Sequence, residues 1–426
     1  MRILIAGTTG ESMPPPYGGI PKVSLLYARE WKKMGHDVAV TFVYRPKDAD
    51  DLGAQARYFF EFGGRPGPLR KIFFTIIYFL RNPFLYTYLC GEYRALYPRF
   101  SGEALRYASY GVFMDTVMAD FAPDIILSEA ALVKSFMVAK VARKRKIPVV
   151  FDTYAEVPDL GMGVNKDLDE EGRKKYWTAF LDLAELTIGI CNCAEGALTF
   201  QPKEKVKVFY DTCDFALSRM GFSGPREDLR RDLKLPTHSF LVGAVGAFEF
   251  RKGHHHLIEA VSKLAKQGMD VAAVLCGGSG DMKKWESLAA EHGVTDRVHF
   301  LQRISETDLA KLYRSLDLYV NLSNTPRSCG LDLALLEAMA SGLPIIVYDN
   351  GGLPDAVPEG KNGWVVPTND VEAVAKKIRN AMEITAEERK KMGEESMAIA
   401  SKSDIRLTSR IKSDWLKEVV ERYKVR

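Results

Sequence analysis

Short apolar runs alternate with amphipathic stretches along most of the chain. Residues 3–6 predict a buried strand, residues 22–34 have the spacing of an amphipathic helix, and residues 38–43 predict a second strand, together a βαβ unit. Residues 125–127 and 149–151 predict further buried strands, separated by a Lys/Arg-rich helix ending near Lys146, and residues 186–190 and 206–210 close this half. Residues 221–236 turn polar and charged, which predicts a linker and the entry to a second domain. The scheme then repeats: strands over 241–245, 271–275, 298–301, 318–321 and 344–348, with a helix over 256–267 closed by Gly268. Wholly apolar strands between helices imply mostly parallel sheets covered on both faces. The expected fold class is α/β: two doubly wound domains, 1–220 and 221–407, facing across a cleft. Ligands of such sheets bind outside the carboxyl ends of the strands.

Composition narrows the function classes. The chain has 426 residues, 46% hydrophobic and 27% charged, which is ordinary for a globular protein and excludes disordered, collagen-like and disulfide-scaffold classes. Fifty-nine basic against 55 acidic residues give a net charge of +4 and no footprint for nucleic acid. Six cysteines without a regular framework suit a reducing compartment, so a cytoplasmic location is expected. The opening MRILIAGTTG is too short for the apolar region of a signal peptide. Residues 72–80 form the longest apolar run, interrupted by Thr75, against the roughly 20 residues a spanning helix needs.

Three segments carry candidate chemistry. Gly7, Gly10, Gly18 and Gly19 lie between the first strand and its helix, where glycines admit a ligand to the backbone and the helix N-terminus suits an anion. They do not fit GxGxxG, and a plain turn is the alternative. In VGAVGAFEFRKGHHHLIEA, Arg251 and Lys252 precede Gly253 at a helix start; paired cations there suit a pyrophosphate, or form a solvated basic turn. His254, His255 and His256 are adjacent and point in three directions on a helix, so no zinc spacing exists and no metal site is expected. The third segment, NLSNTPRSCGLDLALLEAMASGLPIIVYDNGGLPDAVPEGKNGWVVP, predicts a helix over 330–339 whose amides at Gly330 and Leu331 offer a second anion position. Glu337 sits among apolar helix residues and needs hydrogen-bond donors, which ribose hydroxyls or a basic residue would supply.

These segments together resemble the GT-B glycosyltransferases of the large retaining family 4. The resemblance runs through GGIPKVSLLYARE, PDIILSEAA, KIPVVFDTY, VKVFYDTCD, GAFEFRKG, LLEAMASGLPIIVYDNGGLPDAV and NGWVVP, nearly the whole chain. It implies the GT-B fold, two Rossmann-like domains, with a terminal helix over 408–426 (SDWLKEVVERY) returning to the first. It also implies transfer of a hexose, with retention, from a UDP- or GDP-sugar to a hydroxyl acceptor. That acceptor would be a glycan or lipid-linked glycan of cell-surface polysaccharide or glycoconjugate synthesis, and no further cofactor is implied. Carried over by position, Gly18 and Gly19 lie against the diphosphate, Lys252 binds the phosphates and Glu337 holds the ribose. Leu353 flanks the phosphates, and Arg303 and Ile304 contact the base.

The sequence also departs from the family pattern. Cys329 stands eight residues before Glu337, where the family has a sugar-binding Glu, and Ala247 stands at a common Arg, for which Arg251 can substitute. Glu129 aligns with a frequent His and is the candidate for orienting the acceptor. Cys329 reads as a sugar contact, with a nucleophilic role as the alternative; Asp332 would reach the sugar or complement the helix dipole. Two rival functions follow: a sugar-nucleotide epimerase of this fold, and a non-catalytic subunit binding a partner transferase or a glycan. Residues 68–100, with seven aromatics from Phe73 to Tyr88 and cations at Arg70, Lys71 and Arg81, predict either a helix at a membrane interface or a hairpin packed on the first domain.

Overall fold

The computed structural model describes residues 1–6, 19–44, 56–62, 67–97, 102–129, 133–153, 170–190, 197–198, 200–209, 212–218, 225–278, 280–324, 332–358 and 360–425. The chain forms two compact units: Met1–Tyr210 with Ser409–Arg426, and Asp211–Thr408.

The first unit is built on a parallel sheet of β1 (Arg2–Ala6), β2 (Asp37–Tyr44), β3 (Arg57–Phe62), β4 (Ile125–Glu129), β5 (Val149–Thr153), β6 (Leu186–Ile190) and β7 (Val206–Phe209). Its strand order is β3-β2-β1-β4-β5-β6-β7. Ile3 stands opposite Val38 on one side and Ile125 on the other, so the order turns back between β1 and β4. Ile3, Leu4, Ile5 and Ala6 are all wholly buried, as an apolar strand with covered faces requires. Helix α1 (Gly19–Lys33) buries Val23, Leu26, Tyr27 and Trp31.

The second unit repeats the plan with β8 (Phe240–Val245), β9 (Val271–Gly277), β10 (Val298–Gln302), β11 (Leu318–Asn321), β12 (Ile345–Tyr348) and β13 (Gly363–Val366). The order is β10-β9-β8-β11-β12-β13, again all parallel, with the reversal between β8 and β11.

Three expectations are corrected. β3 and β13 lie outside the expected strands: RYFFEF and GWVV are partly exposed at sheet edges, so their patterns lack the signal of a buried strand, and pairing with β2 and β12 decides them. The expected linker over 221–236 contains the helix Arg226–Asp232. Buried Asp317 fixes that helix, accepting from Arg226 at 2.6 Å, Arg230 at 2.8 Å and the Leu241 amide at 2.9 Å. What read as solvated charge is thus partly interior, with Arg230 only 4% exposed. The helix expected from His256 begins at His254.

Residues 68–100 contribute α2 (Pro68–Arg81) and α3 (Pro83–Leu96). α3 buries Leu85, Tyr86, Leu89 and Tyr93 against α4 (Ala104–Phe121), so closely that a Cβ at Gly111 would lie 2.4 Å from Leu89. The hairpin alternative therefore describes α3, whereas α2 buries only Tyr78. No helix among the described residues is long and apolar enough to cross a membrane.

The terminal helix Ile405–Val425 packs on the first sheet. Trp31 donates its indole N–H to the Ser409 carbonyl at 2.8 Å, and Lys412 Nζ reaches Asp152 Oδ2 at 2.6 Å, with both side chains almost wholly buried. The ammonium also faces the rings of Tyr27 and Phe209 at 4.5 and 5.1 Å. Removing one partner of such a pair strands a buried charge. Lys412→Ala should therefore lower unfolding free energy by about 3–5 kcal/mol in denaturant titration. Lys412→Met combined with Asp152→Asn should recover most of that loss, because no bare charge remains.

Candidate functional site

The chemistry-bearing residues of the second unit gather where the strand order reverses, at the carboxyl ends of β8 and β11, which is where doubly wound sheets bind ligands. After β8 the chain enters a tight turn, Phe250–Lys252, and Gly253 at φ 71° leads into the helix His254–Ala265. Only glycine fits there: a Cβ would stand 2.0 Å from the Leu322 carbonyl oxygen just beyond β11. The Asn324 amide donates to the Arg251 carbonyl at 3.0 Å, so the two loops are stitched together.

Lys252 Nζ lies 2.8 Å from Asp332 Oδ2, bridging the reversal point. Asp332 is the N-cap of the helix Leu333–Ala340: its Oδ1 accepts from the Ala334 amide at 3.2 Å, and Asn321 Nδ2 lies 3.5 Å from Oδ2. Burial alone would raise the Asp332 pKa, but the Lys252 charge and these hydrogen bonds outweigh it and hold the carboxyl below its ordinary range. Of the two roles open to Asp332, capping is the one this geometry displays. The helix was expected to start at Gly330 and starts at Leu333, because Asp332 supplies the cap. Gly330, Leu331, Cys329 and Gly18 lie outside the described residues.

One turn into that helix, Glu337 is 6% exposed and accepts a hydrogen bond from Tyr313 Oη at 3.2 Å. Burial, with the Glu337 carboxylate adding to it, pushes the neighbouring Cys276 thiol up to about 12, so this cysteine stays protonated and inert. Arg251 is half-exposed and ion-paired with Glu249, and Arg303 donates from Nε to the Gly278 carbonyl at 3.1 Å at the end of β10, with Ile304 beside it half-buried. Leu353 is wholly buried, and Asn350 at the end of β12 donates to the Ser323 carbonyl at 2.8 Å.

The three histidines are not splayed apart as expected: the His255 and His256 rings lie 3.8 Å apart, and His254 and His255 both face Trp285. His254 lies 3.4 Å from the Gly246 carbonyl, His255 packs edge-on to Phe250, and His256 meets Tyr348 Oη at 2.8 Å. Burial pushes His254 and His255 down to about 4, so both are neutral at pH 7. Among the described residues no group of three His, Cys, Asp or Glu side chains could hold a metal ion.

In the first unit the corresponding reversal point holds Gly19 and Glu129. Gly19 opens α1, and a Cβ there would meet no atom within 4 Å, so packing does not demand a glycine. Glu129, wholly buried at the end of β4, takes the Ser24 hydroxyl between its two oxygens at 2.6 and 2.7 Å. Sequence reasoning missed Ser24, Asn321 and Tyr313. Only Asn321 carried a signal, as the polar residue ending an apolar strand.

Residues 225–398 match the glycosyl transferases group 1 family. A D-inositol 3-phosphate glycosyltransferase of Corynebacterium efficiens is 32% identical over 173 residues, 39% of this chain. The chain covers only 40% of that relative's length. Among solved structures, sucrose-phosphate synthase from Thermosynechococcus elongatus superposes with a TM-score of 0.73 at 18% identity, over 98% of each chain. HepE of Anabaena, solved with UDP and glucose, gives 0.70 at 18% identity over 98% of this chain and 100% of its own. The chain therefore has the GT-B fold.

Because the folded-state pKa of Asp332 is depressed, the stability it contributes is full above its unfolded value of about 4 and is lost as pH falls below that. Asp332→Asn should lower the unfolding temperature at neutral pH, and the gap to wild type should close as pH drops from about 5 towards 2. A gap independent of pH would show that the pair contributes nothing.

Proposed function

Because residues 225–398 match the glycosyl transferases group 1 family, we propose that the chain is a retaining glycosyltransferase. It moves a hexose from a UDP- or GDP-sugar to a hydroxyl of a glycan or lipid-linked glycan, in cytoplasmic synthesis of a surface polysaccharide or glycoconjugate. The observation that supports this reading best is the Lys252–Asp332 pair at the reversal point, with the buried Glu337 carboxylate on the helix that Asp332 caps.

In this reading Lys252 stabilises charge on the departing diphosphate, the term on which such a transfer most depends. The diphosphate competes with Asp332 for the ammonium, and Asp332 keeps the Lys252 side chain extended towards the site before the donor arrives. Arg251, Gly18, Gly19 and the backbone at Gly330 and Leu331 add donors for phosphate oxygens. Glu337, oriented by Tyr313, accepts from ribose hydroxyls, and Arg303 and Ile304 border the base. The acceptor hydroxyl attacks from the face the leaving group departs, and the phosphate takes its proton. Glu129 orients the acceptor, and Cys329 borders the sugar. Cations and amides supply the needed charge compensation, so no metal is called upon. Cys329 and Ala247, in place of the family's Glu and Arg, favour a second reading as a non-catalytic subunit binding a glycan or partner transferase.

Calorimetric titration with UDP, GDP and ADP, then with the matching sugar nucleotides, tests the donor site. One nucleotide should bind, and its sugar form should bind differently; no binding by any of them favours the subunit reading. Lys252→Ala should cut transfer by about a hundredfold or more while the nucleotide still binds. An unchanged transfer rate would overturn the phosphate role.

A further inference from the structure

The outer face of α2 breaks the usual rule for a helix on a globular domain. Seven of the fourteen large apolar side chains exposed among the described residues fall between Leu69 and Phe84. Leu69, Ile72, Phe73, Ile76, Phe79 and Leu80 recur at the three- and four-residue spacing of one helix face, with Leu69 83% and Leu80 70% exposed. The helix is held from its other side, where Phe74 meets Phe62 edge-on at 5.4 Å and Tyr78 Oη donates to the Glu61 carbonyl at 2.9 Å. Phe84, 89% exposed, extends the patch into α3.

Charge gives the patch its direction. α2 has no acidic residue; Arg70 and Lys71 lie in its first turn and Arg81 in its last. None of these cations forms an ion pair with a described residue, and Glu61, the described acid that interacts electrostatically with Lys71, is buried and paired with Lys134 at 3.2 Å. A contiguous apolar face of this kind marks an interaction surface. A second copy is a poor occupant, because a self-complementary interface would bring Arg70, Lys71 and Arg81 towards the same charges on its mate. The helix, at about 21 Å, is also too short to span the roughly 30 Å apolar core of a bilayer.

We propose that α2 docks the chain flat onto an anionic lipid bilayer. The Ile, Leu and Phe side chains enter the boundary between headgroups and acyl chains, and Arg70, Lys71 and Arg81 lie at the level of the phosphates. This goes beyond the donor chemistry and does not depend on it, since vesicle binding needs no nucleotide.

Co-sedimentation of the full chain with phosphatidylcholine vesicles, with and without phosphatidylglycerol, tests the proposal. Binding to the anionic vesicles should exceed binding to neutral ones by about a hundredfold at low salt, the yield of three surface cations, and should fall as salt rises. Phe73→Ser with Ile76→Ser should weaken it by roughly tenfold with only a small change in the unfolding temperature, because both side chains are already more than half exposed. Arg70→Gln with Lys71→Gln should remove most of the preference for anionic lipid. Equal sedimentation of wild type and the Phe73/Ile76 variant would overturn the proposal, as would failure to bind any vesicle. So would a wild-type dimer that this variant abolishes, which would make a second copy the occupant. Calorimetry with nucleotides on the same variants keeps this outcome separate from that of the donor reading.

Discussion

The ion pair between Lys252 and Asp332 is the contact on which the geometry of the second unit's candidate site depends. It joins a turn leaving β8 to the cap of the helix that follows β11, two strands that are neighbours only because the sheet order reverses between them. With the ammonium 2.8 Å from a carboxylate that also caps a helix, one group fixes a cation and terminates an element at once. Gly253 makes the arrangement possible by letting backbone approach backbone at Leu322, a closeness that any side chain would prevent.

Three other buried carboxylates among the described residues are paired in the same way. Asp317 is saturated by arginines from the helix Arg226–Asp232 and by the amide that begins β8's run, so a charged segment becomes part of the interior. Asp152 at the end of β5 receives Lys412 from a helix 260 residues further on, and Glu129 at the end of β4 receives Ser24. A buried carboxylate is tolerable only when its oxygens are filled. In the first unit Glu129, with both oxygens on the Ser24 hydroxyl, and Asp152, with Oδ2 on Lys412, mark the carboxyl ends of neighbouring strands, next to the sheet's reversal point. α2 presents the opposite case: six of its apolar side chains stand more than two-fifths exposed, beside cations that form no ion pair with a described residue.

Much of the fold was legible because parallel strands buried on both faces leave uninterrupted apolar runs. The strands at 186–190 and 318–321 match the observed bounds, and the others differ by a few residues at their ends. β3 and β13 escaped because an edge strand needs no such run, and the helix at 226–232 escaped because its charges look like a solvated linker until Asp317 is brought to them. In the candidate site, Lys252 and Glu337 stood out by residue type against glycine-rich and apolar surroundings. Tyr313 and Ser24 did not, since each is a helix residue whose hydroxyl gains meaning only from a carboxylate distant in sequence.

The sequence by itself determined the class of architecture, the two repeats of the strand-and-helix scheme and the segments carrying cations, glycines and the helix carboxylate. Those follow from periodicity and local composition, which act over a few residues. The tertiary structure decided which charges meet and which apolar face remains uncovered. Asp332 received Lys252, Asp152 received Lys412, and α2 turned Tyr78 inward while leaving Ile72, Phe73 and Ile76 more than half exposed. Such pairings depend on strand order and on which side of a helix the sheet occupies. Neither leaves a trace at short range, because amphipathic spacing specifies a face without saying what that face will meet.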